Sequence, residues 1–202
     1  MNSKLLIFLF PFIFSSCFIV KYNNIKQNDP VVLVASKPSI RMSNVIVRSE
    51  IGDMIALLPE DWYFIDMESL TNNNIYAVAT NLEYNLSLVF SKIKITPDLV
   101  NQNKDQLRKV ANKMLNMHIK KSSGRVEQIG KIREINIAHK KFIVFDISTT
   151  SGALLTNIAI FKSELDNFYK LSLIPMNILG RSIPNEVQKA KIFNSVLATV
   201  KY

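Results

Sequence analysis

From Asn44 to the C-terminus the chain switches every few residues between short apolar runs and turn-forming residues, the pattern of a sheet-rich domain. Asn44–Ser49 is β-branched at Val45, Ile46 and Val47, Gly52 and Asp53 make a turn, and Met54–Leu58 returns as a second strand ended by Pro59, Glu60 and Asp61. An aromatic-rich run, Trp62–Ile65, follows. Tyr76–Thr80 and Leu86–Ile95 are two further strands across the turn-prone Asn81–Asn85, with Leu86, Leu88 and Phe90 on one face. Phe142–Ser148 is apolar enough to be a central strand covered on both faces. Leu154–Phe161 and Phe168–Ile174 read as a hairpin closed by Ser163–Asn167.

Two segments carry the helical period instead. A helix is expected from Pro97, N-capped by Thr96, with Leu107, Val110, Ala111, Met114, Leu115 and His118 at spacings of three and four. Ser122, Ser123 and Gly124 stop it. A terminal helix is expected from Pro184, with an apolar stripe of Val187, Ala190, Phe193, Val196, Leu197 and Val200. Between the helices, Val126–Ile137 is a long polar-rich strand whose apolar spacing slips at Gly130, the signature of a bulge, before Ala138–Lys141 turns the chain. Most connections are too short for parallel crossovers, so the fold class is α+β, a largely antiparallel sheet covered by helices.

Residues 1–43 follow a different rule. Lys4 precedes the apolar Leu5–Phe14, then come Ser15, Ser16 and the single cysteine, Cys17. That order is an export signal, residues 1–16, whose small residues before Cys17 resemble a bacterial lipobox with Phe14 where leucine is commonest. A diacylglyceryl thioether plus an N-acyl chain on Cys17 gives three hydrocarbon tails, each contributing about 0.8 kcal/mol per buried CH₂. The alternative is an uncleaved membrane helix, but Leu5–Val20 is interrupted by Pro11 and falls short of the roughly 20 residues a spanning helix prefers. Residues 17–43 are read as the lipidated cysteine and a tether, and 44–202 as one domain. The apolar segment 31–35 is the part of the tether with a reason to pack on the domain.

The segments MIALLPEDWYFI, NLSLVFSKI, KKFIVFDIST, FYKLSLIP and the final FNSVLATVKY, with a long helix between the second and third, resemble the PsbP-like superfamily, the Mog/PsbP α-β-α sandwich. The resemblance covers residues 44–202. It implies a non-enzymatic binding or assembly module, and it assigns no ligand residue, because function resides in sites rather than folds.

Charge adds the most distinctive feature. The whole chain carries a formal +9. Residues 104–141 hold eleven basic side chains, among them Lys104, Arg108, Lys109, Lys113, Lys120, Lys121, Lys140 and Lys141, against Asp105, Glu127 and Glu134. The functional reading is contact with anionic lipid head groups or an acidic envelope protein, and the bland one is solvated lysine in a lysine-rich composition. Export makes nucleic acid an unexpected partner.

Other chemistry is sparse. His118 and His139 have no neighbouring ligand set, so neither a metal nor a cofactor is expected, and His118 on the apolar stripe reads as a core or boundary residue. None of the five glycines forms a phosphate-cradling loop, and no nucleophile elbow occurs. Glu60, Asp61, Asp66 and Glu68 flank Trp62 and support one alternative, a carbohydrate- or ester-processing hydrolase. Asp146, inside an apolar strand, is read as pairing with a lysine or arginine or lying at an edge, with a functional carboxylate as the alternative. The leading expectation is a non-catalytic binding or assembly-accessory module, lipid-anchored in a bacterial cell envelope on the periplasmic side of the outer membrane. Replacing Cys17 by Ala is expected to abolish labelling by a fatty-acid probe and leave the protein at precursor mass, whereas surviving label contradicts the assignment of the anchor.

Overall fold

The two-residue alternation read from the sequence becomes a sheet whose central strands are apolar on both faces. The computed structural model describes residues 32–33, 36–66, 74–81, 85–95, 105–149 and 154–202. The strands are β1 (Val32–Leu33), β2 (Met42–Arg48), β3 (Ile55–Pro59), β4 (Tyr63–Phe64), β5 (Ile75–Asn81) and β6 (Leu86–Ile93), followed by helix α1 (Gln106–Lys121). After it come β7 (Val126–Ile137), β8 (Lys140–Thr149), β9 (Leu155–Lys162), β10 (Phe168–Pro175) and helix α2 (Glu186–Thr199). Eight strands form one sheet in the order β1-β7-β8-β9-β10-β6-β5-β4, while β2 and β3 pair separately. Every pair is antiparallel except β1 beside β7, where Val32 faces Ile135.

The topology dictates where α1 goes. β4, β5 and β6 form a meander; the chain then leaves for β7 and meanders back, so that β10 closes onto β6 with Leu171 opposite Phe90. The crossover α1 lies over β7, β8 and β9. There Val110, Ala111 and Leu115 meet Ile143, Phe145, Ile147, Ile158 and Ile160. On the opposite face, Phe142, Val144, Phe161, Leu88 and Leu171 are covered by β2–β3 and by Ile192, Phe193, Val196 and Leu197 of α2. Burying each such large side chain contributes about 1.5–3 kcal/mol. Phe161 stacks between Tyr169 and Tyr202, and so ties the sheet to the C-terminus.

Several expectations are met residue by residue. The ladder between β7 and β8 shifts register between Ile129 and Arg133, with Gly130 at a φ of +68°. The Ala138–His139 turn has positive φ at both residues, the geometry that matches strand twist in a two-residue hairpin. Asp146 is paired: Arg133 Nη2 donates to Oδ2 at 2.7 Å and Asn157 Nδ2 to Oδ1 at 2.8 Å.

Others are corrected. The domain starts before Asn44, because the backbone N–H of Ser39 donates to Ser195 Oγ at 2.9 Å, Ile40 packs on the core and Met42 opens β2. α1 starts at Gln106 with Asp105 as its N-cap, and the expected cap at Thr96 and start at Pro97 lie outside the described residues. α2 begins after Pro184, at a capping box in which Asn185 and Gln188 bond reciprocally. Its buried stripe is rotated from the expected one. Val187 is 65% exposed and Ala190 is exposed, whereas Lys189 is buried, three and four positions before the buried Ile192 and Phe193. Lys189 is tolerated there because Nζ donates to the Leu155 carbonyl at 3.1 Å and pairs with Glu186 at 2.7 Å.

A polar staple fixes the β2–β3 loop to the main sheet. Asp53 accepts hydrogen bonds from Ser49 Oγ (2.7 Å), Ser163 Oγ (2.6 Å), Asn167 Nδ2 (2.9 Å) and the Tyr169 hydroxyl. Burial pushes the Asp53 carboxyl up, but the four donors outweigh it and hold it at about 2, below the ordinary 3.8. The Tyr169 hydroxyl is pushed up to about 12, by burial first and by Asp53 second. A carboxyl lowered on folding stabilises the fold above its ordinary value, and that contribution is lost as pH falls through about 2. Asp53→Asn, which leaves a half-buried donor facing donors, is expected to cost about 1–2 kcal/mol at neutral pH. In chemical denaturation the gap from wild type is expected to close as pH drops from about 4 to 2.

Candidate functional site

Helix α1 presents two cationic flanks to solvent, separated by the geometry of the helix itself. Lys109, Lys113 and Lys120 recur at spacings of four and seven, so they share one outward stripe. With Asn112, Asn116 and Met117 they line an open depression of about 460 Å³. Met117, 38% exposed, places an apolar side chain among the lysines.

The second flank, one helical position round, faces β6 and β10. His118, Lys121, Met114 and Met117 come down onto a cleft of about 310 Å³. Its other walls are Ser91, Lys92 and Ile93 from β6 with Lys94 just after it, Lys170 from β10, and Asn74 and Ile75 at the start of β5. Lys170 lies opposite Ser91 across the β10–β6 ladder. Burial lowers the Lys170 ammonium below the ordinary lysine value, and Lys121 lowers it further. The His118 imidazole is lowered to about 4 by burial, then by Lys170 and Lys121.

The basic residues singled out in the sequence are therefore not one patch. Lys104 and Cys17 lie outside the described residues. Arg108 sits 3.9 Å from Asp105. Lys120 and Lys121 end α1, where Val126 N donates to Ser122 Oγ at 3.1 Å and starts β7. Lys140 and Lys141 flank the hairpin at the other end of that strand, on the order of 35 Å away at about 3.3 Å per residue, and Lys141 is paired with Glu134 at 2.8 Å. Lys92, Lys94 and Lys170 were missed, because each reads locally as the solvent-facing member of an alternating strand.

The acidic residues near Trp62 do not form a two-carboxylate cleft. Glu60 and Asp61 are exposed in a turn that rims an open depression of about 280 Å³ with Arg41, Asn81 and Lys191. Trp62 touches the same depression but is 4% exposed and packs in the core, so little of its ring is open for a sugar to stack on. Asp66 is exposed, and Glu68 lies outside the described residues. His139 is exposed at its turn. Among the described residues no three His, Cys, Asp or Glu side chains gather to hold a metal ion. No helix among them is long and apolar enough to cross a membrane.

No family model and no curated protein matches the chain. Among solved structures, the solution structure of cyanobacterial PsbP (CyanoP) from Synechocystis sp. PCC 6803 superposes on 78% of this chain and 91% of its own, at 10% identity and a TM-score of 0.57. The chain has a PsbP-like fold. At that identity the likeness speaks for the architecture alone. A crystal structure from Bacteroides thetaiotaomicron VPI-5482 matches 77% of this chain and 47% of its own at 12% identity, with a TM-score of 0.36 that adds nothing to the argument.

Within this PsbP-like domain the histidine of the cleft makes a direct prediction. A histidine lowered on folding takes up a proton less readily than in the unfolded chain, so His118 is expected to cost stability as pH falls from about 6.5 towards 4. In an NMR titration its ring resonances are expected to stay fixed between pH 7 and 5 and to move near pH 4. A midpoint near 6.5 would contradict the burial and the two lysines beside it.

Proposed function

We propose that the protein is a non-catalytic binding module, held at a cell-envelope membrane by an acylated Cys17, whose α1 stripe rests against an anionic lipid surface. One observation carries this reading: Lys109, Lys113 and Lys120 line a single open depression with the exposed Met117 at its edge. Near an anionic surface each basic side chain contributes about 1 kcal/mol, enough for three to orient a domain that a lipid already tethers. Met117 favours lipid over an acidic protein partner, since a flexible thioether inserted at the head-group boundary buries apolar area at little cost.

The hydrolase alternative lacks such support. Glu60 and Asp61 are solvated at a turn and Trp62 is committed to the core, so no acid is placed against an enclosed substrate site.

The test uses protein lacking residues 1–17 and retaining Ser39, whose backbone N–H donates to Ser195 Oγ. It is expected to sediment with vesicles containing anionic lipid at low salt, to release as salt rises, and to ignore neutral vesicles. Replacing Lys109, Lys113 and Lys120 by Glu is expected to weaken partition by at least about tenfold. Equal binding to neutral and anionic vesicles, or an unchanged triple variant, would overturn the proposal.

A further inference from the structure

The cleft behind the stripe poses a separate problem, because it gathers positive charge that no carboxylate among the described residues neutralises. Lys121 and Lys170 meet in it, Lys92 and Lys94 add only rim atoms because strand alternation puts them on the Tyr169 face of the sheet, and no carboxylate is among its described lining residues. Among the described residues none of the four has an ion-pair partner. Two of them, Lys121 and Lys170, are close enough that one disfavours the charge of the other. Bringing like charges together against the partly apolar surface of Ile75, Ile93 and Met114 costs stability.

Neutral polar groups at the same place are also unsatisfied. Ser91 is 4% exposed, and among the described residues its hydroxyl has no hydrogen-bond partner; Nε2 of His118 is buried and likewise without one among them. Buried polar atoms are ordinarily paired, so two orphans lining one cationic cleft point to a bound group that supplies the missing partner. An oxyanion meets both requirements, offering negative charge to the ammonium groups and acceptor oxygens to a hydroxyl and an imidazole N–H.

We propose that the cleft between α1 and the β6–β10 ladder is a binding site for a phosphate monoester or free phosphate, with Lys121 and Lys170 as its main charge partners and Ser91 and His118 as hydrogen-bonding partners. Phosphate fits better than a carboxylate because a dianion compensates several ammonium groups at once, and lysine binds phosphate as a point charge without needing the planar fork of arginine. A helix terminus plays no part, since Lys121 lies in the last turn of α1, where the dipole favours cations. The site is distinct from the outward stripe: Lys109, Lys113 and Lys120 do not line it.

The cleft suits either a soluble phosphate compound or a lipid phosphate head group, and the experiment separates the two. Full chain in neutral detergent is titrated calorimetrically with inorganic phosphate and with glycerol phosphate at fixed ionic strength, and in parallel presented with phosphatidic acid in nanodiscs. Wild type is expected to bind saturably in at least one arm. Lys170→Met is expected to melt at a higher temperature than wild type without phosphate, since a half-buried unpaired charge is gone, and to lose at least about tenfold in affinity in that arm. Lys121→Gln, at the exposed helix end, is a second variant should Lys170→Met fail to fold, and its expected loss runs in the same direction. The triple change of Lys109, Lys113 and Lys120 to Gln is expected to leave soluble phosphate binding intact. Cleft-dependent binding of the soluble probes assigns a soluble ligand, and cleft-dependent binding of phosphatidic acid alone assigns a lipid head group. No saturable binding in any arm, or binding equal in wild type and both cleft variants, overturns the proposal.

Discussion

The central strands β8 and β9 are apolar on both faces, and the rest of the molecule follows from having to cover both. Phe142 and Val144 point to one side and Ile143, Phe145 and Ile147 to the other. One face takes β2–β3 and α2, the other takes α1. Because β6 and β10 are neighbours although α1 and three strands separate them in sequence, the covering helix is also the crossover. It lies over β7, β8 and β9 and leaves the β10–β6 ladder only partly roofed. The cleft is the geometric remainder of that arrangement, and its chemistry comes from the residues that happen to face it.

The same helix then has three roles at three angular positions. Val110, Ala111 and Leu115 supply the apolar contact with the sheet. His118 and Lys121 overhang the cleft, and Lys109, Lys113 and Lys120 face away. Charge that looks continuous in sequence is divided by the helical period into surfaces with different environments. The half-buried one lowers the affinity of Lys170 and His118 for protons, whereas the open one is screened by salt.

Much of the fold is legible from local pattern, because period two and period 3.6 are local properties. The strand from Phe142, the bulge at Gly130 and the hairpin at Ser163–Asn167 all follow from residues within a few positions of one another. What escapes the sequence depends on partners far along the chain. Lys189 reads as a solvent residue until the Leu155 carbonyl and Glu186 are placed beside its ammonium. Asp53 reads as a turn residue until Ser163, Asn167 and Tyr169 converge on it. Lys170 looks like the wet side of its strand, and only the pairing of β6 with β10 under α1 sets it beside Ser91 in the cleft. The basic run from Lys104 to Lys141 errs the opposite way, since proximity in sequence suggests a patch that the length of β7 pulls apart.

If α1 sorts its charges by face, the outward stripe is the part of the domain that meets a general anionic lipid surface. Amide chemical-shift mapping of the isotope-labelled domain, protein lacking residues 1–17, against anionic nanodiscs reads that sorting directly. The predicted result is perturbation concentrated on Lys109, Lys113, Met117 and Lys120, with little change at Lys140, Lys141 and the Glu60–Asp61 turn. Perturbation spread evenly over all the lysines, or centred on the Ala138–His139 hairpin, would contradict it.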